Sequence, residues 1–147
     1  MMQTDRRTWL QRGAAAVGLA GAFGPRMAQA QTPPNDAAAF MARAFALRDQ
    51  ASAAGDQPYG AVVVRDGRIV GEGPSRVVTA TDPTAHAEME AIRDAARKLG
   101  TRSLSGCVIY ASSRPCPMCQ AGAYWAGIGQ YYYGSNIADG GAPRLGC

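Results

Sequence analysis

The side chains whose types and spacing could do chemistry fall in two short segments, His86-Ala87-Glu88 and, some thirty residues on, Pro115-Cys116-Pro117-Met118-Cys119. One imidazole and two thiolates give three protein ligands to a tetrahedral zinc ion and leave the fourth position to water, the pattern of a catalytic site rather than a closed structural one. Glu88 stands two residues past the histidine, which suits a proton carrier: chemistry on zinc-bound water needs a nearby base that does not itself occupy the metal. A Cys-x-x-Cys alone could equally be redox-active or structural, and a His-x-Glu alone says less. Together they are specific, and with a single histidine in the chain no other imidazole competes. The plain alternatives are a core histidine at a helix start and, for Glu88, a solvated acid favoured by the first helical turn.

Several elements must bring these residues together. Asn35 or Asp36 can cap a first helix whose apolar face holds Phe40, Met41, Ala44, Phe45 and Leu47 and which stops at Gly55. Tyr59 to Val64 is a β-branched run, Asp66-Gly67 a hairpin turn, and Arg68 to Glu72 the antiparallel return strand. Gly73 to Thr81 reads as a loop leading to Asp82-Pro83, a cap residue followed by proline. The spacing then predicts a helix from about Pro83 to Leu99, with Arg97 and Lys98 in its last turn and Gly100 as its stop. His86 and Glu88 would lie near that helix start. Residues two apart point to nearly opposite sides of a helix, so both serve one site only if the metal lies at the open N-terminal end, where free amides also favour an anion. Cys107 to Ala111 is the next strand. A helix from about Cys116 to Ala126 puts both cysteines on one face at its start, where the helix dipole is expected to lower a thiol's pKa. Gln130 to Gly134 is a further strand and the remainder a glycine-rich loop. Strand, helix, strand, helix, strand in that order predicts parallel right-handed crossovers and an α/β/α layer arrangement.

A length of 147 residues allows one domain of ordinary size. Residues 1–30 read instead as a twin-arginine export signal: Asp5-Arg6-Arg7-Thr8-Trp9-Leu10, an apolar Gly13 to Phe23 stretch, and the small-x-small cleavage pattern Ala28-Gln29-Ala30. The apolar stretch is short for a membrane span, which takes about 20 residues, and three glycines interrupt it. A retained membrane anchor is the lesser alternative. The mature domain is expected to occupy residues 31–147, in the periplasm or outside the cell. Without residues 1–30 the formal charge falls from +4 to about +1, so the basic character sits mostly in the signal. A nucleic-acid binder usually carries a basic patch that neutralises phosphates, and this balance fits a small neutral substrate better. Cys107, in the apolar run Gly106 to Tyr110, is expected to pack as a small hydrophobe. A Cys107–Cys147 disulfide is allowed in an oxidising compartment, although nothing in the sequence sets its geometry.

These residues resemble the cytidine deaminase-like superfamily, and within it bacterial guanine deaminases, with tRNA adenosine deaminases as cousins. The likeness covers roughly Phe40 to Asp139. It rests on Pro58-Tyr59-Gly60-Ala61-Val62, Asp82 to Glu88, Cys107-Val108-Ile109-Tyr110, Pro115 to Cys119, and Tyr124-Trp125-Ala126, the last leaning toward guanine deaminases. His-x-Glu with Pro-Cys-x-x-Cys is the signature of zinc-dependent nucleobase deaminases. The resemblance implies a three-layer α/β/α cytidine deaminase-like fold with a mixed sheet, one zinc ion per chain on His86, Cys116 and Cys119, and Glu88 as the catalytic proton carrier. It implies a hydrolase acting on the C–N bond of a cyclic amidine, turning guanine into xanthine with release of ammonia, its tetrahedral intermediate stabilised by zinc and backbone amides. Tyr59 matches an aromatic that packs on the base and Trp125 one that lines the pocket. Asp139 matches a catalytic acid that meets the leaving amino group. As bare sequence features, the two aromatics could be ordinary core residues and Asp139 a loop aspartate. The corresponding partner is a small purine or related base, with a homodimer implied by the family, no nucleic acid, and no membrane once the signal is cleaved.

Three places depart from the family pattern. Pro74-Ser75-Arg76 occupies the stretch where relatives carry an asparagine that reads the base edge, which puts Ser75 at a substrate-binding position; losing a paired donor and acceptor there leaves the substrate's identity open. Arg114 stands where relatives commonly have a glutamate before Pro-Cys. The chain ends thirteen residues after Gly134, whereas the family continues into at least another helix and strand, so either the sequence is truncated or the pocket is more open than usual. The alternatives are deamination of another base or nucleoside (cytosine, adenosine, tRNA adenosine) and, from a different class, a non-catalytic zinc-stabilised exported binding protein.

Overall fold

The computed structural model describes residues 36–145. The expected export signal, Asn35 and Cys147 lie outside that range. Within it the chain runs α1 (Ala37–Ala53), β1 (Gly60–Arg65), β2 (Arg68–Pro74), α2 (Ala87–Leu99), β3 (Val108–Ala111), α3 (Pro117–Ala126), β4 (Gln130–Tyr133) and β5 (Ala138–Gly141). None of these helices is long and apolar enough to cross a membrane.

The strands form one mixed sheet in the order β2-β1-β3-β4-β5. β1 pairs antiparallel with β2 and with β3, β3 pairs parallel with β4, and β4 antiparallel with β5. β2 and β3 therefore run in the same direction on either side of β1, and α2 and α3 each join strands of like direction, as a strand–helix–strand alternation requires. Side chains alternate between the two faces. Val62 and Val64 of β1, Tyr110 of β3 and Tyr132 of β4 pack with Phe40, Met41, Ala44 and Leu47 of α1. Ala61, Val63, Ile109, Ala111 and Tyr131 pack on the other face with Ala87, Ala91, Ile92 and Ala95 of α2 and Ala123 and Ala126 of α3. This is the three-layer α/β/α fold. Cys107 is a free, fully buried thiol of the second cluster, packed as a small hydrophobe.

Three expectations are corrected. Asp36 takes the N-cap position of α1, but its side chain makes no capping hydrogen bond. α2 begins at Ala87 rather than near Pro83. Asp82 uses its Oδ1 to accept from the Thr84 amide and hydroxyl, both at 2.7 Å, and this local turn competes with helix initiation. The glycine-rich tail also holds a strand, β5, whose Ala-Asp-Gly-Gly sequence has no apolar alternation and which is held by its pairing with β4.

Two glycines on one face of β2 set the position of α2. A Cβ at Gly71 would lie 2.4 Å from the Ala91 carbonyl oxygen, and one at Gly73 would lie 2.2 Å from that of Ala87. The strand backbone thus touches the helix backbone directly, one residue past His86. Gly73→Ala is expected to push the start of α2 away from the sheet and to cost about 1–3 kcal/mol. A lowered urea midpoint at unchanged slope would register it.

Candidate metal centre and active site

Strands β2 and β3 end at the same edge of the sheet, and each hands over to a loop that carries a ligand into a helix. His86 is the N-cap residue of α2 and Cys116 that of α3, both with extended backbone (φ −63°, ψ 152° and φ −75°, ψ 168°). Pro117 then occupies the first turn of α3, where its missing N–H costs nothing. Cys119 lies one turn into α3 and is fully buried. Two helix starts thereby face one point.

Nδ1 of His86 is 3.7 Å from each sulfur, and the two sulfurs are 3.6 Å apart. Zinc bonds of about 2.3 Å to sulfur and about 2.0–2.1 Å to nitrogen set the edges of a tetrahedron at roughly 3.5–3.8 Å. The three ligand atoms already stand at that spacing, so the residues present fit a zinc ion with one position left open. Other clusters of three His, Cys, Asp or Glu groups at such spacing do not occur among the described residues.

The thiol acidity departs from expectation. Burial pushes the Cys119 thiol far above its ordinary value, and the neighbouring Glu88 carboxylate and Cys116 sulfur push it further the same way. At this position desolvation outweighs the helix dipole, so a dication is what makes the thiolate tenable. Glu88, in the first turn of α2, is only 5% exposed and has no ion-pair partner among the described residues. Its carboxylate faces Cys119 and the buried hydroxyl of Tyr131, which meets no partner at hydrogen-bond geometry. Burial, then the Glu88 and Cys119 charges, hold that phenol well above its usual range, so it stays protonated.

The remaining sequence candidates divide. Asp139 lines a cavity of about 630 Å³ beside Pro115 and Pro117, the residues flanking Cys116, and its Oδ1 accepts from the Gln130 amide and from the Gly141 N–H. Tyr59 is 42% exposed at the start of β1, with its carbonyl accepting from the Ser75 amide at 3.0 Å. Ser75 is buried, and its hydroxyl donates to Asp56 at 2.9 Å. Trp125 is 78% exposed on α3 next to the half-exposed Tyr124 and is not among the residues lining the cavity.

Asp56 was not legible as a functional position: a lone acid between Gly55 and Gln57 has no diagnostic spacing. Its buried carboxylate also accepts from the amides of Gln57, Val78 and Thr79 and from the Thr79 hydroxyl, at 2.8–3.0 Å. These bonds fasten the α1–β1 loop to the loop that delivers His86. Burial works against the charge, but the Thr79 and Gln57 amides and the Ser75 and Thr79 hydroxyls outweigh it and hold the carboxyl well below the usual range.

A mixed sheet layered between helices, with a His, Cys, Cys tetrahedral set and a buried carboxylate at the strand ends, defines a zinc-site α/β protein of the deaminase type. The family model for the cytidine and deoxycytidylate deaminase zinc-binding region matches residues 34–135, and the chain belongs to that family. It is 45% identical over 101 residues to guanine deaminase of Bacillus subtilis, an overlap of 68% of this chain and 65% of that protein. The crystal structure of that enzyme superposes with a TM-score of 0.63 at 46% identity, covering 65% of this chain and 61% of that one. The tRNA-specific adenosine deaminase of Agrobacterium fabrum is 38% identical over 107 residues, 73% of this chain and 70% of that protein. The chain thus spans just under two thirds of the length of the guanine deaminase it matches.

Two outcomes are expected. Elemental analysis of the isolated protein should find about one zinc per chain, lost in Cys119→Ser, with chelation lowering the melting temperature. Because folding depresses the Asp56 pKa, its contribution to stability is complete above the free carboxyl value of 3.8 and is lost as pH falls toward the folded value. Wild-type denaturation midpoints should therefore drop as pH falls below about 4, and Asp56→Asn should be less stable at pH 7 with a flatter acid limb.

Proposed function

We propose that the protein is a zinc-dependent hydrolytic deaminase of an aminated nucleobase ring, with guanine the first base to test, releasing ammonia and leaving xanthine. The observation that carries this reading is Glu88: a buried carboxylate with no cationic partner among the described residues, set beside three candidate ligands whose spacing fits zinc. Bound there by His86, Cys116 and Cys119, zinc would supply Lewis-acid polarisation and a water acidified toward neutrality. Glu88 takes one proton from the attacking water and passes it to a ring nitrogen, then takes the second from the added hydroxyl and passes it to the departing amine, the usual work of a positioned general base and acid. The open N-terminal amides of α2 and α3 favour negative charge developing in front of them. We assign Asp139, which lines the cavity beside Cys116, to meet the leaving amino group, and Tyr59 to pack on the ring.

Guanine comes first because of the similarity to the Bacillus subtilis enzyme. Deamination of adenosine in tRNA is the second reading, supported by the similarity to the Agrobacterium fabrum protein. We assign Ser75 a role in shaping the pocket through Asp56, and Trp125 a role at a subunit contact, since α3 presents it to solvent together with Tyr124. A homodimer joined along α3 and export by the twin-arginine route complete the reading.

The test is ammonia release by the zinc-loaded protein from guanine, adenine, cytosine and their nucleosides. Turnover of at least one is expected, and silence across the panel overturns the proposal. Glu88→Gln should keep its zinc and lose roughly 10²–10⁴-fold in kcat. Unchanged turnover in that variant would remove Glu88 from the chemistry.

A further inference from the structure

The cavity that opens beside Cys116 is more cationic than a neutral base requires. Its volume of about 630 Å³ falls within the range of about 300–1,000 Å³ in which small-molecule sites occur. Two guanidinium groups line it, Arg114 from the β3–α3 loop and Arg144 from the segment after β5. Among the described residues neither lies within ion-pair distance of a carboxylate. The lining's one acid, Asp139, accepts from the Gln130 amide and the Gly141 N–H through Oδ1 and is within ion-pair distance of neither arginine.

Arg144 is not a dangling side chain on a free tail. Its backbone N–H donates to Oε1 of Gln120 at 3.3 Å, and the Gln120 amide in turn donates to the Cys116 carbonyl at 3.0 Å. Pro143, immediately before it, is buried. The segment carrying Arg144 is therefore tied to the first turn of the helix that carries both cysteines. On the opposite side, Arg114 is two residues before Cys116 and separated from it by the buried Pro115. Both positive charges are thus indexed to the turn that carries Cys116, in a cavity where their planar donor forks have no protein acceptor among the described residues.

We propose that this cavity is an oxyanion site, taking a phosphate or carboxylate group between Arg114 and Arg144. Guanidinium forks bind such groups through paired, charge-assisted hydrogen bonds. The group has two possible sources: a substituent carried by the aminated ring that the metal centre acts on, or a free anion bound beside a bare base. The first source rests on the deaminase reading above, and the site itself does not.

Inorganic phosphate is the first probe. Titrated into the zinc-loaded full chain at constant ionic strength, and followed by calorimetry, it should bind saturably. Arg114→Ala and Arg144→Ala should each weaken binding by about tenfold or more, and the double variant should abolish it. Arg102→Ala, which removes an exposed charge outside the cavity lining, should leave it unchanged. Melting curves without phosphate establish that the variants are folded. Absence of saturable binding, or binding indifferent to both arginines, overturns the proposal.

The second arm compares ammonia release from guanine, guanosine and guanosine monophosphate. A preference for the monophosphate that falls in the arginine variants places the anion on the substrate. No such preference, with phosphate binding intact, places it as a separate ligand, and the site stands. If phosphate binds through the arginines and no compound is deaminated, the oxyanion site holds and the deaminase reading falls. If ammonia is released and phosphate never binds, the reverse follows.

Discussion

The structure depends on the convergence of two helix N-termini on one point at the edge of the sheet. Each helix is entered through a residue in extended conformation, and in each that residue belongs to the cluster that could hold a metal: His86 for α2 and Cys116 for α3. At an N-cap the backbone is turning into the helix, so the side chain projects across the open end rather than along the flank. That resolves the difficulty of His86 and Glu88 lying two residues apart. The imidazole would hold a metal from the cap, while the carboxylate lies beside the same cluster from within the first turn.

Convergence to a few tenths of an ångström has to be enforced by packing. β2 supplies Gly71 and Gly73 where α2 crosses it, and direct backbone contact there leaves little room for the helix to slide. β3 and α3 are continuous with the sheet centre, where Ile109, Ala111 and Tyr131 are completely or almost completely buried. Burying one such large apolar or aromatic side chain contributes about 1.5–3 kcal/mol, so displacing the strand end that carries the cysteines is costly. The loop bearing His86 has no comparable apolar anchor. Asp56 takes that role with a polar one, its carboxylate accepting bonds from both loops at once.

The electrostatics of the site are tense in the absence of a cation. A buried carboxylate, two sulfurs and a buried phenol crowd together, and burial raises the cost of ionising the sulfur and the phenol. A divalent ion reverses that balance, since it is the largest local charge and compensates the thiolates directly. Metal binding and the final geometry of the pocket would for this reason be coupled, with Glu88 shielded from bulk water beside the ligand cluster.

Much of this protein is legible from residue order. The candidate ligand cluster, the hairpin at Asp66-Gly67 and the helix stop at Gly100 follow from spacing and local stereochemistry, because a tetrahedral metal, a tight turn and a left-handed cap each accept few residue types. Other features were decided only in three dimensions. Asp82 forms a turn instead of a cap because its two Thr84 contacts compete with the helix start, and β5 exists because β4 offers it a backbone ladder, its own side chains giving no sign. Asp56 and Arg144 owe their places to partners 19–24 residues away, and the acidity of Cys119 to its depth. Short-range chemistry is written in the chain, whereas burial and long-range hydrogen bonding are properties of the packed whole.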